Sequence, residues 1–235
     1  MTTASGVVLT LWRYPVKSML GERCERLALD ARGVEGDRLY AVRDVGGKFG
    51  SGKSTRRFRR IEGLFGFAAV YDGPVPVIAF PDGRRLRGDD AAIHGALSAA
   101  LGQPVTLARE AGVSHLDAGP VHLLTTASLA WLQDTLPESQ IDERRFRPNV
   151  FVGVSGAGQV ERGWMGRTVA VGGEVRLAIR EPTERCVMVG MPQSELPDDP
   201  AVLRTLAQAS DGDFGVYADV IVPGRISVGD AVMVL

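Results

Sequence analysis

The chain has 235 residues, enough to bury one large core or two small ones. Hydrophobic residues make up 45%, charged residues 23%, and the formal net charge is −1. That is an ordinary globular balance, and it excludes any global attraction to nucleic acid or to an anionic membrane. Cys24 and Cys186 are the only cysteines, too few for a disulfide framework, and with His94, His115 and His122 they make no zinc spacing. No run of about 18 apolar residues occurs. The opening MTTASGVVLTLWRYPVKS lacks a charged-then-apolar leader pattern, so a cytoplasmic protein is expected.

Twenty-nine glycines and 13 prolines punctuate many short apolar runs, which predicts a β-rich fold. Residues 7–16 read as a strand broken at Pro15, 23–30 as a second and 38–44 as a third. A glycine-rich turn follows, then strands over 65–72 and 75–83. Ile93, Leu97 and Leu101, one turn apart, predict the first helix over 91–101. Residues 122–136 begin as a strand and turn helical near Ser128. A strand over 145–154 is entered through Pro148, and two strands over 167–181 join at Gly172-Gly173. A helix over 196–209 takes Asp199 as N-cap and Pro200 as its first residue. The closing 215–235 reads as strand, Pro-Gly turn, strand. A soft boundary near 110 divides the chain into 1–110 and 111–235.

Residues 47–54, GKFGSGKS, match the phosphate-binding pattern G-x-x-x-x-G-K-[ST]. A working loop of that kind needs a buried parallel strand before it and a helix after it. The following STRRFRRIEGLFG is crowded with arginine and broken by Gly63 and Gly66, and no apolar run ending in a Mg²⁺-binding Asp stands out. The segment is therefore expected to be a β-hairpin loop whose glycines supply positive φ. Its charge is notable: Lys48 to Arg60 holds six cations and no acid.

Three further segments carry a family resemblance. They are Tyr14-Pro15-Val16-Lys17-Ser18, then Arg145-Phe146-Arg147-Pro148-Asn149-Val150, then Arg185-Cys186-Val187-Met188 with the closing Pro223-Gly224-Arg225-Ile226-Ser227-Val228-Gly229-Asp230. GVEGDRLYAVRD and HLLTTASL fit the same order. From about residue 7 to 235 the chain resembles the MOSC family, the domain shared with the C-terminal part of molybdenum cofactor sulfurases. It resembles in particular the two-part members, such as the mitochondrial amidoxime-reducing component and its bacterial relatives.

The resemblance implies a mostly β (α+β) fold, with an N-terminal β-barrel-like domain over 1–110 and a MOSC β-barrel with a few peripheral helices over 111–235. It implies a molybdenum cofactor (molybdopterin) in the cleft, with Cys186 as catalytic residue and metal ligand. Cofactor contacts fall on Lys17, Ser18, Arg38, Arg147, Asn149 and Arg185, and on Thr125 and Ser128. Ser51 and Lys53 fall on a T-x-R element, and with Arg56 and Arg57 they are expected at the entrance for substrate or partner. The residue chemistry suits these roles. Thiolate is a suitable transition-metal ligand, guanidinium forks match phosphate, and an Asn amide suits a pterin edge. Read without the resemblance, Cys186 is a small core residue before it is a ligand, and Arg147 can be an exposed strand end; the motif context reverses the reading of Cys186.

The chain departs from the relatives at Thr183-Glu184-Arg185-Cys186, where they read C-S-R-C. A relay between two thiols at this place is thereby excluded. Glu184 is expected to turn away from an anionic ligand or to pair with a cation. No cysteine-clustered ferredoxin segment is present, so electrons are expected from a separate donor protein. The expected activity is oxygen-atom removal from a small N-hydroxylated or N-oxide-type substrate. The alternatives are sulfur transfer through a persulfide on Cys186 and non-catalytic carriage of the cofactor.

Overall fold

The structure, a computed structural model, describes residues 5–235; the first four residues of the opening segment lie outside it. Seven strands close on themselves: β1 (Gly6–Arg13), β2 (Val121–Thr125), β3 (Val150–Gly153), β4 (Thr168–Val171), β5 (Val175–Glu184), β6 (Asp213–Val222) and β7 (Ala231–Val234). Around the barrel they run β1, β3, β2, β6, β5, β4, β7 and back to β1. Closure is made by β1, which pairs with β7 at Gly6–Val232 and with β3 at Leu11–Val150. All neighbours are antiparallel except β2 and β3. A parallel pair needs a crossover, and helix α2 (Thr126–Thr135) begins it.

Alternation explains the long strands. In β5, Val175, Leu177 and Ile179 are buried while Arg176 and Ala178 are less so, a period of two. Val8, Leu11, Leu123, Val150, Val169, Val216 and Val232 complete this interior. Leu27, Leu29 and Val34, from the short strands Arg26–Asp30 and Gly33–Val34, pack into the same core. The barrel core thus draws on the first 34 residues as well as on the chain after 110.

Residues between these two parts build a second core. A four-stranded sheet (Val105–Arg109, Tyr40–Asp44, Phe49–Ser51, Phe58–Arg60) and a three-stranded one (Arg85–Arg87, Val75–Ala79, Ala68–Asp72) enclose Val42, Ile61, Phe67 and Ile78, with Ile93 and Leu97 of helix α1 (Ile93–Leu101). A third cluster joins Leu132 of α2, Phe146, Phe214 and Leu206 of helix α3 (Ala201–Ala209).

The mostly β expectation holds, with local differences. Helix α3 starts at Ala201, because the turn before it is tied elsewhere: Asp199 N–H donates to Gly190 O, while its Oδ1 accepts from Ala201 N–H. The closing segment forms three strands, because a turn at Val228-Gly229-Asp230 separates Gly224–Ser227 from β7. No helix follows the glycine-rich segment. The hairpin turn lies at 44–48, and Phe49–Ser51 then runs parallel to Phe58–Arg60. Of its glycines, Gly47 alone has positive φ. No helix among the described residues is long and apolar enough to cross a membrane.

Gly215 marks a bulge where β5 and β6 lose register between Pro182 and Glu184. Its φ is +80°, and a Cβ there would lie 2.3 Å from His122 Nε2. Gly47 has a similar φ of +78° with nothing within 4 Å. Gly215→Ala is expected to cost about 3 kcal/mol in urea denaturation, combining backbone strain with overpacking. Gly47→Ala should cost only about 1 kcal/mol. Equal costs would mean that the bulge is not constrained by its neighbours.

Candidate functional site

The bulge ends β5 and sends Arg185 and Cys186 toward a cavity of about 380 Å³ between the barrel and the second core. That volume lies within the range of about 300–1,000 Å³ common for small-molecule sites. Lys17, Ser18, Arg38, Ser51, Lys53 and Arg57 line it from one side; Arg145, Arg147, Arg185 and Cys186 line it from the other. Residues far apart in sequence meet because the Tyr14–Ser18 turn follows β1, while Arg147 directly precedes β3.

Three lining residues hold unusual backbone. Ser18, Arg38 and Arg147 have φ of 64°, 50° and 55°, and only two other non-glycine residues among those described have positive φ. L-residues avoid this region, and strain of this kind gathers at functional sites. Here it is locked in place. Arg38 N–H donates to Tyr14 O at 2.7 Å, Ser18 Oγ donates to Gly50 O at 3.0 Å, and Arg147 Nη1 donates to Met19 O at 2.7 Å.

Seven cationic side chains line the cavity against three carboxylates, Asp117, Glu181 and Glu184, so an anionic ligand is favoured. Lys17 Nζ donates to His115 O at 3.0 Å and to the Asp117 carboxylate. Burial lowers the Lys17 pKa, and Asp117 partly restores it. Asp117, whose side chain is 48% exposed, is held below the usual carboxylate range by Lys17 and then Arg38. Burial also acts to lower Arg38, and the paired Asp37 reverses the shift upward. Arg147 is lowered to about 10 by burial and then by Arg38.

Hydrogen-bonding capacity is left over. Arg147 Nη2, Arg185 Nε and Arg57 Nε are buried with no partner among the described residues. Each belongs to a side chain that lines the cavity. Buried donors are nearly always satisfied, so three around one cavity mark a place for acceptors.

Cys186 is a half-buried free thiol just before the short turn Val187–Val189. The glycine-rich segment lies against that turn. A Cβ on Gly52 would fall 2.7 Å from Met191 Sδ and 2.8 Å from Met188 Cγ, and Ser51 Oγ is 3.7 Å from Met188 Sδ. Lys53 stands exposed at the mouth, its ammonium 5.8 Å from the centre of the Phe58 ring. Arg57 donates to Leu116 O at 2.9 Å. Glu184 is exposed and still lines the cavity, so the expectation that it turns away from the site is not met.

Several expected positions fall elsewhere. Thr125 and Ser128 are fully buried and do not line the cavity; both hydroxyls donate at 2.6 Å to the buried Glu161 carboxylate. Asn149 is 1% exposed: its Oδ1 accepts from His122 N–H, and its Nδ2 donates to Trp12 O, tying barrel strands together. Arg56 is exposed away from the cavity. Of the other cations in 48–60, Arg59 pairs with Asp44, Arg60 with Glu62, and Lys48 donates to Thr55 O.

Asp117 and Tyr217 line the cavity from outside any motif in the sequence; His122 and Arg145 also line it, and each opens a motif named above without being distinguished within it by type or spacing. Arg145 is fully buried and donates to the carbonyls of Gln140, Val189 and Pro197. It thereby fixes the loop behind Cys186.

Two histidines make the site sensitive to acid. Burial, then Arg43, pushes the His115 imidazole down to about 4, and burial with Arg185 pushes His122 well below 6.5. Both are neutral when folded, whereas the unfolded chain protonates them below its ordinary pKa of 6.5. Their contribution is therefore complete above 6.5 and is lost as pH falls from 6.5 toward 4. Glu110, held down to about 2 chiefly by Arg32, loses its contribution below 4.5. The Tm by calorimetry is expected to fall between pH 6.5 and 4, and His115→Gln should flatten part of that slope. A flat wild-type profile would contradict the neutral burial of these rings.

Comparison with known proteins adds the family. The MOSC domain model matches residues 90–233, and the MOSC N-terminal beta barrel domain model matches residues 5–66. No curated protein matches the chain. Among solved structures, the YuaD protein from Bacillus subtilis is similar at a TM-score of 0.56 and 15% identity, covering 100% of this chain and 98% of that one. It shares the fold. YiiM from Geobacillus stearothermophilus matches at a TM-score of 0.37 and 13% identity, over 50% of this chain and 54% of its own. A hypothetical protein matches at 0.47 and 11% identity, over 98% of this chain and 68% of its own. With more than half of its length matched by the domain model, the chain belongs to the MOSC domain family, a family associated with molybdenum-cofactor binding.

Proposed function

We propose that this protein holds a molybdenum cofactor in the cavity and reduces small N-hydroxylated or N-oxide-type compounds by removing their oxygen. The observation that carries this reading is the set of unpartnered buried N–H groups on Arg147, Arg185 and Arg57 around the half-buried Cys186. A phosphate-bearing heterocycle offers the acceptors that such donors lack, and guanidinium is the side chain best shaped for phosphate. Lys17, Ser18, Arg38 and Arg147 would hold the phosphate end, Asp117 would accept from ring N–H groups, and Cys186 would ligate the metal. When bound, the cofactor supplies two-electron redox chemistry at molybdenum.

The chain's own residues supply the surroundings. Phe58, Pro182 and Met188 give the cavity apolar wall, which limits water near the reacting centre. The overall change, R–NHOH + 2e⁻ + 2H⁺ → R–NH₂ + H₂O, needs two electrons. A separate donor protein would bring them, and exposed Lys53 and Arg56 offer an acidic partner a docking face.

Metal and pterin analysis of the protein, purified from a host that makes the cofactor, tests the reading. About one molybdenum and one pterin per chain are expected, with molybdenum lost in Cys186→Ala and pterin reduced in Arg147→Ala. Reduction of an aryl hydroxylamine by a reduced dye should fall in Cys186→Ser by more than the about 10–100-fold typical of outer-shell changes. Protein free of both molybdenum and pterin would sink the proposal. Sulfur transfer remains the second reading for one reason: Cys24 packs against the barrel core, away from the cavity, so Cys186 stands alone there, and a persulfide needs no second thiol. Cyanide-labile sulfur that disappears in Cys186→Ser would favour it.

A further inference from the structure

Tyr14 does not line the cavity, yet both left-handed arginines rest on it. The Arg147 guanidinium carbon lies 4.1 Å from the centre of its ring and that of Arg38 lies 4.9 Å away. The same residue also fixes both backbones. Its carbonyl accepts from Arg38 N–H at 2.7 Å, and its phenol donates at 3.2 Å to the carbonyl of Pro148, which follows Arg147. Its N–H donates at 2.7 Å to Asp37 Oδ1, while the other carboxylate oxygen of Asp37 pairs with Arg38.

Two guanidiniums converging on one buried site repel each other, and that repulsion contributes to the lowered pKa of Arg147. Each head is tied at one nitrogen, Arg38 Nη1 to Asp37 and Arg147 Nη1 to Met19 O, which leaves the guanidinium plane free to turn about that contact. An aromatic face opposes this, because its negative quadrupole attracts both cations, most strongly where water is excluded. Tyr14 is 3% exposed, so water does not compete for the ring. Burial keeps the phenol protonated despite the pull of Arg147 and Arg38, so the hydroxyl stays a neutral donor.

We propose that Tyr14 is a positioning residue whose ring face aims Arg38 and Arg147 together at an anionic ligand, so that phosphate affinity depends on the ring and only weakly on the hydroxyl. This rests on the anion-binding reading of the cavity given above. An aliphatic side chain of similar size fills the space but offers no quadrupole, and this separates aiming from packing.

The test is calorimetric titration of the full chain with inorganic phosphate, each variant first checked for folding by circular dichroism. Tyr14→Phe keeps the ring and should bind within about threefold of wild type. Tyr14→Leu should bind about tenfold more weakly. Pentafluorophenylalanine at position 14 keeps the shape but reverses the quadrupole, and it should weaken binding about as much as leucine, so the result does not depend on leucine folding. Phe80→Leu, in the second core away from the cavity, controls for destabilisation and should bind as wild type. Wild-type affinity in the fluorinated variant, or an equal loss in Tyr14→Phe and Tyr14→Leu, would overturn the role of the ring. Absence of saturable binding by the wild type would instead overturn the anion-site reading, and the role of Tyr14 would fall with it.

Discussion

Lys17, Arg38, Arg145 and Arg147 are all buried within one neighbourhood, and most of the surrounding architecture answers their charge. Removing a cation from water costs several kcal/mol unless carbonyls, carboxylates or ring faces replace the lost solvation. Lys17 takes Asp117 and the carbonyl of His115; Arg38 takes Asp37; Arg145 takes three carbonyls; Arg147 takes the carbonyl of Met19. These partners come from turns on both sides of the cavity. The same contacts that make the charges tolerable therefore hold the barrel against the second core. Three of the guanidiniums that line the cavity are left short of one partner each among the described residues, and this surplus turns a structural solution into a binding surface.

Much of this was legible in the sequence. Period-two alternation at Val175–Ile179 marks a half-buried strand, and the motif residues Lys17, Ser18, Arg38, Arg147 and Cys186 do reach one cavity. Thr125, Ser128 and Asn149 do not, because a hydroxyl or amide in a motif reads the same whether it serves a ligand or the fold. Only the partner decides: for Ser128 it is Glu161, 33 residues on. Asp117 was illegible for the reverse reason. Its significance comes from Lys17, 100 residues earlier, and no local pattern records that meeting.

The GKFGSGKS segment shows how a motif can match in letters while differing in physics. A phosphate-binding loop uses its glycines to turn amides toward the ligand and hands over to a helix. Here the chain goes on to a short parallel strand, and Gly52 is small because two methionine side chains beside Cys186 press against it. The glycine serves the approach of two loops. Ser51 and Lys53 still reach the cavity as a consequence of that approach.

The seam of the barrel has a consequence for how the protein is made. Along the chain β1 comes before the other barrel strands, and β7, which pairs with its opening residues Gly6 and Val7, comes after them. Until residues 231–232 emerge, Gly6 and Val7 lack that partner, whereas Leu11–Arg13 can already pair with Glu22–Cys24. Closing so large a loop carries an entropy cost that must be met before the final contacts form, a feature of slow, non-local folds. Until that closure the nascent barrel is an open sheet with an unpaired edge, and that edge is where misassembly between copies would begin.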